Sequence, residues 1–264
     1  MANHRAMRRS LARFCIAAAM VLGATRALAA PVLSVDVTTV GGYMEYSASP
    51  TAVEITNPDG SPTGTFSFSD YGYATGSFSC GWSAVVNPDP SIAGTFNLTN
   101  LSATTQTFIL TITLPTSLAG PTRMGGSFGD VTYTDVGGAP GGGPDSSVTL
   151  ATILGDYFYR ALIDGNPTGS PTGPGDLGSF TVTAFGGPGV FGTISQQSFG
   201  VPIPSAPGPG VTSSIGMRVK FSLTAGDRVQ VPVFFQVEAP EPSSALLIGL
   251  GLAGLVASRK RARA

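Results

Sequence analysis

The sequence predicts an all-β domain, a two-sheet antiparallel sandwich of Ig-like or jelly-roll type, flanked by a short apolar helix at each end of the chain. Three observations carry this prediction. The 264 residues include 36 glycines and 21 prolines, which disfavour helix and supply turns. Hydrophobic residues make up 42% of the chain, enough for a buried core. Short apolar runs recur about every 8 to 15 residues, with turn signals between them and no βαβ alternation.

Nine runs in which apolar and polar residues alternate are predicted strands, because successive side chains of a strand point to opposite faces of the sheet. Glycine- and proline-rich segments at 137–144, 165–175 and 200–210 are predicted loops, and 147–162 fits neither pattern. In chain order the predicted strands are Leu33–Val37, Val53–Thr56, Phe66–Phe68, Phe78–Ala84, Phe96–Leu98, Phe108–Leu114, Phe180–Ala184, Met217–Leu223 and Val229–Val237.

The last two runs are predicted to form a β-hairpin, because only a short turn containing Ala225-Gly226-Asp227 lies between them. Phe221 falls on the inward face of this hairpin and Lys220 on its solvated face. Pro232 lacks the amide that a central strand would need, which predicts an edge strand or a bulge there.

The first 29 residues have the three parts of a secretory signal peptide. A basic segment precedes the apolar run Phe14–Ala24, and Ala27-Leu28-Ala29 places small residues where signal peptidase requires them. The apolar run is too short to span a hydrocarbon core of about 30 Å as a permanent anchor. We therefore predict cleavage by signal peptidase between Ala29 and Ala30, and export of the chain.

The C-terminal 25 residues also have three parts. Pro240-Glu241-Pro242 is followed by the apolar stretch Ala245–Ala257 and then by the basic residues Arg259, Lys260, Arg261 and Arg263. This order and spacing resembles the PEP-CTERM sorting signal of exported Gram-negative bacterial proteins. The resemblance implies that the chain is a substrate of an exosortase, a membrane-embedded cysteine transpeptidase, and that it is delivered to the cell envelope, the cell surface or the extracellular matrix.

The length of the apolar stretch agrees with a transient membrane span. Residues 243–258 would form about 24 Å of helix, which is marginal for a permanent anchor. The basic cluster should stay in the cytoplasm under the positive-inside rule, which leaves Pro240-Glu241-Pro242 at the outer boundary. An ordinary C-terminal membrane anchor is the alternative. The predicted organisation is a signal peptide at 1–29, a β-sandwich at 30–239 and a sorting signal at 240–264.

The formal net charge of −1 conceals a strong segregation of charge along the chain. Nine of the 14 basic residues lie in the two terminal segments, whereas all 15 acidic residues lie between Asp36 and Glu241. An acidic middle repels phosphate backbones and anionic lipid, so we predict no nucleic-acid partner. The basic residues of the middle are Arg123, Arg160, Arg218, Lys220 and Arg228.

The mature chain would lack histidine and would keep a single cysteine, which excludes Ser-His-Asp and Cys-His catalysis and histidine-rich metal sites. The one histidine of the full chain, His4, and one of its two cysteines, Cys15, would leave with the signal peptide. Phe78, Cys80 and Trp82 lie on the same apolar face of a predicted strand, which predicts a buried thiol. As the single cysteine of the mature chain, Cys80 can form no intramolecular disulfide. We therefore predict a protein that is not an enzyme.

No cofactor is predicted, and calcium is the one ion that we keep open. The loop aspartates lack the D-x-D-x-D-G spacing of a calcium loop. The candidate ligands are Asp130, Asp135, Asp145, Asp156 and Asp164.

The sequence favours a structural or adhesive role in the envelope or matrix, with extracellular polysaccharide as a candidate partner. The alternative is a carbohydrate-binding module or a glycan-active hydrolase with the same sorting signal. A hydrolase would need a pair of carboxylates, and no pair is singled out. A binding module would need exposed aromatic rings, for which the candidates are Tyr71, Tyr73, Tyr157 and Tyr159.

Overall fold

The computed structural model describes residues 30–39, 44–87, 90–137, 147–153, 156–168, 175–185 and 187–239. Within these ranges the chain forms strands, turns and loops, and no helix that is long and apolar enough to cross a membrane. The strands are β1 (Ser34–Thr39), β2 (Met44–Ala48), β3 (Val53–Thr56), β4 (Pro62–Ala74), β5 (Phe78–Asn87), β6 (Ser91–Asn100), β7 (Gln106–Pro115), β8 (Thr122–Phe128), β9 (Val131–Thr134), β10 (Ser147–Ala151), β11 (Tyr159–Ile163), β12 (Asn166–Pro167), β13 (Asp176–Leu177), β14 (Thr181–Phe185), β15 (Phe191–Ile194), β16 (Gln197–Phe199), β17 (Ala206–Gly208), β18 (Ser214–Leu223) and β19 (Arg228–Glu238).

The strands form two antiparallel sheets, which confirms the predicted all-β sandwich. The nine-stranded sheet has the order β12-β11-β18-β7-β1-β2, with β10, β13 and β14 attached to it. The ten-stranded sheet has the order β15-β9-β19-β6-β5-β4-β3, with β8, β16 and β17 attached. Each of the nine predicted runs lies in or overlaps a strand. The predicted terminal helices lie outside the described residues.

The core fills the space between the two sheets. In β7 the apolar residues Phe108, Leu110, Ile112 and Leu114 are buried, and the intervening threonines are only partly covered. Opposite them, β5 buries Trp82 completely. The period-2 alternation therefore directs one face of each central strand into a common hydrophobic cluster, which is the main source of stability in such a fold.

The predicted hairpin is wrong. β18 pairs with β7, β10 and β11 in the nine-stranded sheet, whereas β19 pairs with β6, β8 and β9 in the ten-stranded sheet. The connection 224–227 is therefore an arch from one sheet to the other. Alternation specifies which side chains face the core, and both a hairpin and an arch bury the same ones.

Of the two positions that the sequence predicts for Pro232, the edge strand is wrong, whereas an irregularity of the bulge kind is present, because two residues of β19 lie opposite three between the β8 and β9 ladders. β19 is internal, and Pro232 lies opposite Thr95 of β6. On the other side of β19, its carbonyl accepts a hydrogen bond of 2.9 Å from Gly129, in the short break between β8 and β9. Because the nitrogen and the carbonyl of a strand residue point the same way, the missing amide faces this break, where ladder pairing is interrupted.

The two ends of the sandwich can be distinguished by their connections. At one end, which we call the arch end, residues 101–105 join β6 to β7 and residues 224–227 join β18 to β19. At the opposite end, which we call the exit end, residues 116–121 join β7 to β8 across the sheets. Ser34 of β1 pairs with Thr113, and Glu238 of β19 pairs with Arg123. The first and last strands therefore begin and end together, at the exit end.

Candidate functional site

The last strand leads directly to the segment that carries the sorting resemblance. The Val237 backbone amide donates a hydrogen bond of 2.9 Å to the Pro90 carbonyl, and the side-chain amide of Gln236 donates a hydrogen bond of 2.7 Å to the Glu238 carboxylate. β19 ends at Glu238, and Ala239 is the last described residue. The segment that follows is thus joined to a central strand of the ten-stranded sheet with almost no linker.

The fold is a two-sheet β-sandwich, and its last strand leads into the C-terminal segment that carries the sorting resemblance. The family model of the PEP-CTERM protein-sorting motif matches residues 238–261. A search of curated proteins found no match to the chain. The chain therefore carries a PEP-CTERM sorting motif, which implies export, delivery to the cell envelope and processing by an exosortase.

Most of the predicted processing residues lie outside the described residues. Ala30 is described and exposed, four residues before β1. The proposed cleavage point and the domain boundaries at 29/30 and 239/240 remain predictions. The candidates outside the described residues are Ala29, Pro240, Glu241, Pro242, Arg259, Lys260, Arg261 and Arg263.

A polar concavity of about 290 Å³ lies on the outer face of the ten-stranded sheet, at the arch end. Gln230 of β19 lies between Asn97 of β6 and Thr132 of β9 in the strand register. One row further, Arg228 lies beside Thr134. Arg228 and Gln230 are exposed, and the other three residues are partly buried. The concavity therefore presents amide, hydroxyl and guanidinium groups to solvent.

A second concavity of about 330 Å³ continues along the same face towards the exit end. Its outward-facing residues on β5, β6 and β19 are small or apolar, and Thr95 and Pro232 form the row next to Asn97 and Gln230. We call the two concavities together the β6–β19 groove. Its lining residues are Asn97, Thr132, Thr134, Arg228, Gln230, Ser83, Ala84, Val85, Ala93, Gly94, Thr95, Pro232 and Val233.

An exposed aromatic ring borders the polar part of the groove. Phe191 of β15 is 65% exposed and pairs directly with Thr134. Directly paired residues of antiparallel strands project from the same face of the sheet, so Phe191 and Thr134 extend the row that begins at Arg228. Sequence reasoning missed the polar part and Phe191 because these residues come from β6, β9, β15 and β19, which share no local motif.

Of the five aspartates kept open as calcium ligands, the four that lie in the described part of the chain are not brought together. Asp130 accepts a hydrogen bond from the Gln196 amide, and Asp135 accepts one from the Gly137 amide. Asp156 forms ion pairs, and Asp145 lies outside the described residues. Within the described ranges, no group of three or more His, Cys, Asp or Glu side chains is arranged to hold a metal ion.

Asp164, the fifth of these aspartates, is a loop anchor at the exit end. Its carboxylate accepts hydrogen bonds from the Thr212 hydroxyl at 2.7 Å and the Ser213 amide at 2.7 Å. It also accepts one from the Ser214 amide at 3.1 Å. These hydrogen bonds hold the pKa of Asp164 well below its usual range, and the hydrogen bond from the Thr212 side chain has the largest effect.

Lys220 is not the free residue of a solvated face that the sequence predicts. Its ammonium forms an ion pair with Asp156 at 2.8 Å, and Arg160 contacts the same carboxylate at 3.2 Å. Arg160 also contacts Asp176 at 3.4 Å. Burial by itself would raise the pKa of Asp156, but the hydrogen bond from Lys220 and the neighbouring cations outweigh it, and the pKa is lowered. This cluster therefore joins β11, β13 and β18 electrostatically.

The three candidate tyrosines whose side chains are described do not form a platform for sugar stacking. Tyr159 is fully buried and donates a hydrogen bond of 2.9 Å to the Phe234 carbonyl, so it belongs to the core. Tyr73 packs against Tyr46 with ring centroids 4.4 Å apart. The Tyr157 ring faces the Arg160 guanidinium at 5.3 Å. The side chain of Tyr71 lies outside the described residues.

The predicted burial of Cys80 is confirmed. The residue is 3% exposed and lies on the core face of β5, as does Trp82. Burial, with a smaller contribution from the charge of Asp70, raises the pKa of the thiol to about 12. With this pKa the thiol of Cys80 stays protonated at neutral pH. Because the thiolate is the nucleophilic form, Cys80 is unreactive and packs as a small apolar residue.

Proposed function

We propose that this protein is a non-enzymatic structural or adhesive component of the envelope or extracellular matrix of a Gram-negative bacterium. The single observation that carries the proposal is the PEP-CTERM motif, which begins at the last residue of β19. Because the sorting motif follows the last strand directly, the sandwich itself is the domain that sorting would deliver and attach outside the cell.

The proposed sorting pathway follows from the physical properties of the tail. The apolar stretch Ala245–Ala257 enters the membrane as a transient helix, and the basic residues after Ser258 remain in the cytoplasm. Two prolines prevent helix at Pro240-Glu241-Pro242, so this segment is presented in an extended form at the outer boundary. An exosortase embedded in the same membrane then acts on it.

Three of the described reactive side chains, those of Cys80, Asp156 and Asp164, support a role without catalysis. The thiol of Cys80 is buried and protonated. The carboxylates of Asp156 and Asp164 are engaged by cations and by backbone amides, which hold them in their ionised, structural form. Such carboxylates contribute to the stability of loops and sheets, and they are not available for proton transfer to a substrate.

A glycan-binding module is the second candidate, and the β6–β19 groove favours it. Carbohydrate sites combine apolar surface with a few polar groups that fix orientation. The groove has both, in its Ala93 and Pro232 part and in its Asn97, Arg228 and Gln230 part. A glycan-cleaving activity has no corresponding pair of carboxylates among the groove residues.

Mass spectrometry of the protein from its own host tests the sorting proposal. We expect the mature protein to begin at Ala30 and to lack the Arg-rich tail. Glu241→Ala should cause the unprocessed form to accumulate, because it removes the charged centre of the Pro-Glu-Pro segment. Glu54→Ala is the matched control and should be processed normally, because Glu54 is an exposed residue of β3 outside the matched motif. An intact wild-type C-terminus through Ala264 would instead identify a simple membrane anchor.

A further inference from the structure

We propose that the β6–β19 groove binds an oligosaccharide segment that carries a uronic acid, with the sugar carboxylate against Arg228. The inference rests on the proposed location outside the cell, where such polymers occur. It deepens the glycan-binding alternative by naming a ligand class and a site. Its test does not involve C-terminal processing, so the sorting proposal and this one can fail separately.

The first argument is the unused hydrogen-bonding capacity of the polar part. None of the side chains of Asn97, Thr132, Thr134, Arg228 and Gln230 has a hydrogen bond or ion pair among the described residues. Elsewhere on the surface, polar side chains such as Asp164 and Asn57 are occupied by local partners. Amides and hydroxyls both donate and accept hydrogen bonds, which matches the hydroxyl groups of a sugar ring.

The second argument is the charge of the site. Among the described residues that line the polar concavity, Arg228 is the only one with a charge. A guanidinium pairs with a carboxylate through two parallel hydrogen bonds. The middle of the chain is otherwise strongly acidic, so a densely charged polyanion would be repelled as a whole. A polymer of largely uncharged rings with a carboxylate at intervals fits one cation in an acidic surface.

The third argument is the shape and lining of the groove. Along β6 the groove extends from Ala93 to Thr99, the residue that pairs with Arg228. This distance is about 20 Å at the rise of a strand. The exit-side part presents Val85, Ala93 and Pro232, which suit the C–H faces of sugar rings. Phe191, at the border of the polar part, offers an aromatic face of the kind that packs against such rings. An extended chain of rings therefore finds apolar contact along the groove and polar contact at its arch end.

Binding of defined oligosaccharides to the full-length protein tests the proposal. The protein is held in a detergent without a sugar headgroup, and affinity is measured by calorimetry for two oligosaccharides in which uronic acid is spaced by neutral rings, a xylotetraose that carries one glucuronic acid and a hyaluronan tetrasaccharide, and for their carboxyl-reduced forms. We expect one of the two acidic oligosaccharides to bind about tenfold more tightly than its reduced form, the difference that a charge-assisted pair contributes. Added salt should remove this preference.

Two charge-neutralising variants locate the site. Arg228→Gln should reduce the affinity for the acidic oligosaccharide about tenfold and leave that for the reduced form unchanged. Arg123→Gln is the matched control, because Arg123 is also exposed but lies at the exit end of the same sheet; it should bind like the wild type. Phe191→Ala should weaken binding of both forms.

Three outcomes would overturn the proposal. The first is a wild-type protein that binds neither acidic oligosaccharide. The second is equal affinity for an acidic oligosaccharide and its reduced form, which would remove the role of Arg228. The third is an equal loss of affinity in Arg228→Gln and Arg123→Gln, which would show a response to overall charge.

Discussion

Asn100 is the residue that ties the two arches together. Its side-chain amide donates hydrogen bonds to the carbonyls of Thr104 at 2.9 Å, Leu223 at 3.0 Å and Thr224 at 3.0 Å. Its side-chain oxygen accepts hydrogen bonds from the amide and the hydroxyl of Ser102. Its backbone amide donates to the Asp227 carbonyl at 2.8 Å. One fully buried side chain thus satisfies the backbone of both inter-sheet connections at the arch end.

The substitution Asn100→Ala should destabilise the domain by about 2 to 4 kcal/mol, because it leaves several buried carbonyls without a donor. Asn97→Ala is the matched control. Asn97 lies on the same strand but projects to the outer face, where its side chain has no partner among the described residues, so its loss should change the free energy of unfolding by less than about 0.5 kcal/mol. Urea denaturation of the two variants measures both values. Equal destabilisation would contradict the role of Asn100 as the link between the arches.

At the level of strands, the sequence predicted the existence of elements better than their pairing. Alternation located all nine predicted strands, because burial of one face imposes a period of two on any sandwich strand. The choice between hairpin and arch at 224–227 depends on contacts such as those of Asn100, more than a hundred residues away in the chain. The β6–β19 groove could not be predicted from the sequence for the same reason, because Asn97, Thr132 and Gln230 become neighbours only through the register of the paired strands.

Three aspartate substitutions on β18 and β19 test the inward and outward assignments. Phe221→Asp should prevent folding, because it places an unpaired charge in the core, where Phe221 is 0% exposed. Lys220→Asp should cost about 1 to 3 kcal/mol, because it replaces the ion pair with Asp156 by a repulsion between carboxylates. Gln230→Asp, at an exposed position, should change stability by no more than about 0.5 kcal/mol.

Chemical denaturation followed by tryptophan fluorescence compares the three variants, since Trp82 lies in the core. The sequence alone predicts that Lys220→Asp is tolerated, so this variant separates the two assignments. A Lys220→Asp protein as stable as Gln230→Asp would show that the cluster of Lys220, Asp156 and Arg160 contributes nothing to the fold.

At the level of the whole molecule, the two ends of the sandwich have different surroundings during sorting. The strand that leads to the PEP-CTERM motif ends at the exit end, and β1 begins there as well. The 11 residues of β19 place Arg228 about 33 Å from Glu238. While the tail spans the membrane in the proposed intermediate, the exit end should therefore face the lipid and the arch end, with the groove, should face away from it.

Fluorescent probes at the two ends of the full-length protein in lipid vesicles test this orientation. Ser117, in the loop between β7 and β8, is exposed at the exit end, and Ala103, in the loop between β6 and β7, is exposed at the arch end. In a chain without Cys15, Ser117→Cys and Ala103→Cys accept a thiol-reactive probe, whereas the buried Cys80 with its raised pKa stays unlabelled. A quencher attached to lipid headgroups should quench the probe at residue 117 and leave that at residue 103 bright, because a separation of about 33 Å exceeds contact range. Equal quenching at both positions would mean that the sandwich lies flat on the membrane, and a groove held there would be less open to a polymer from outside.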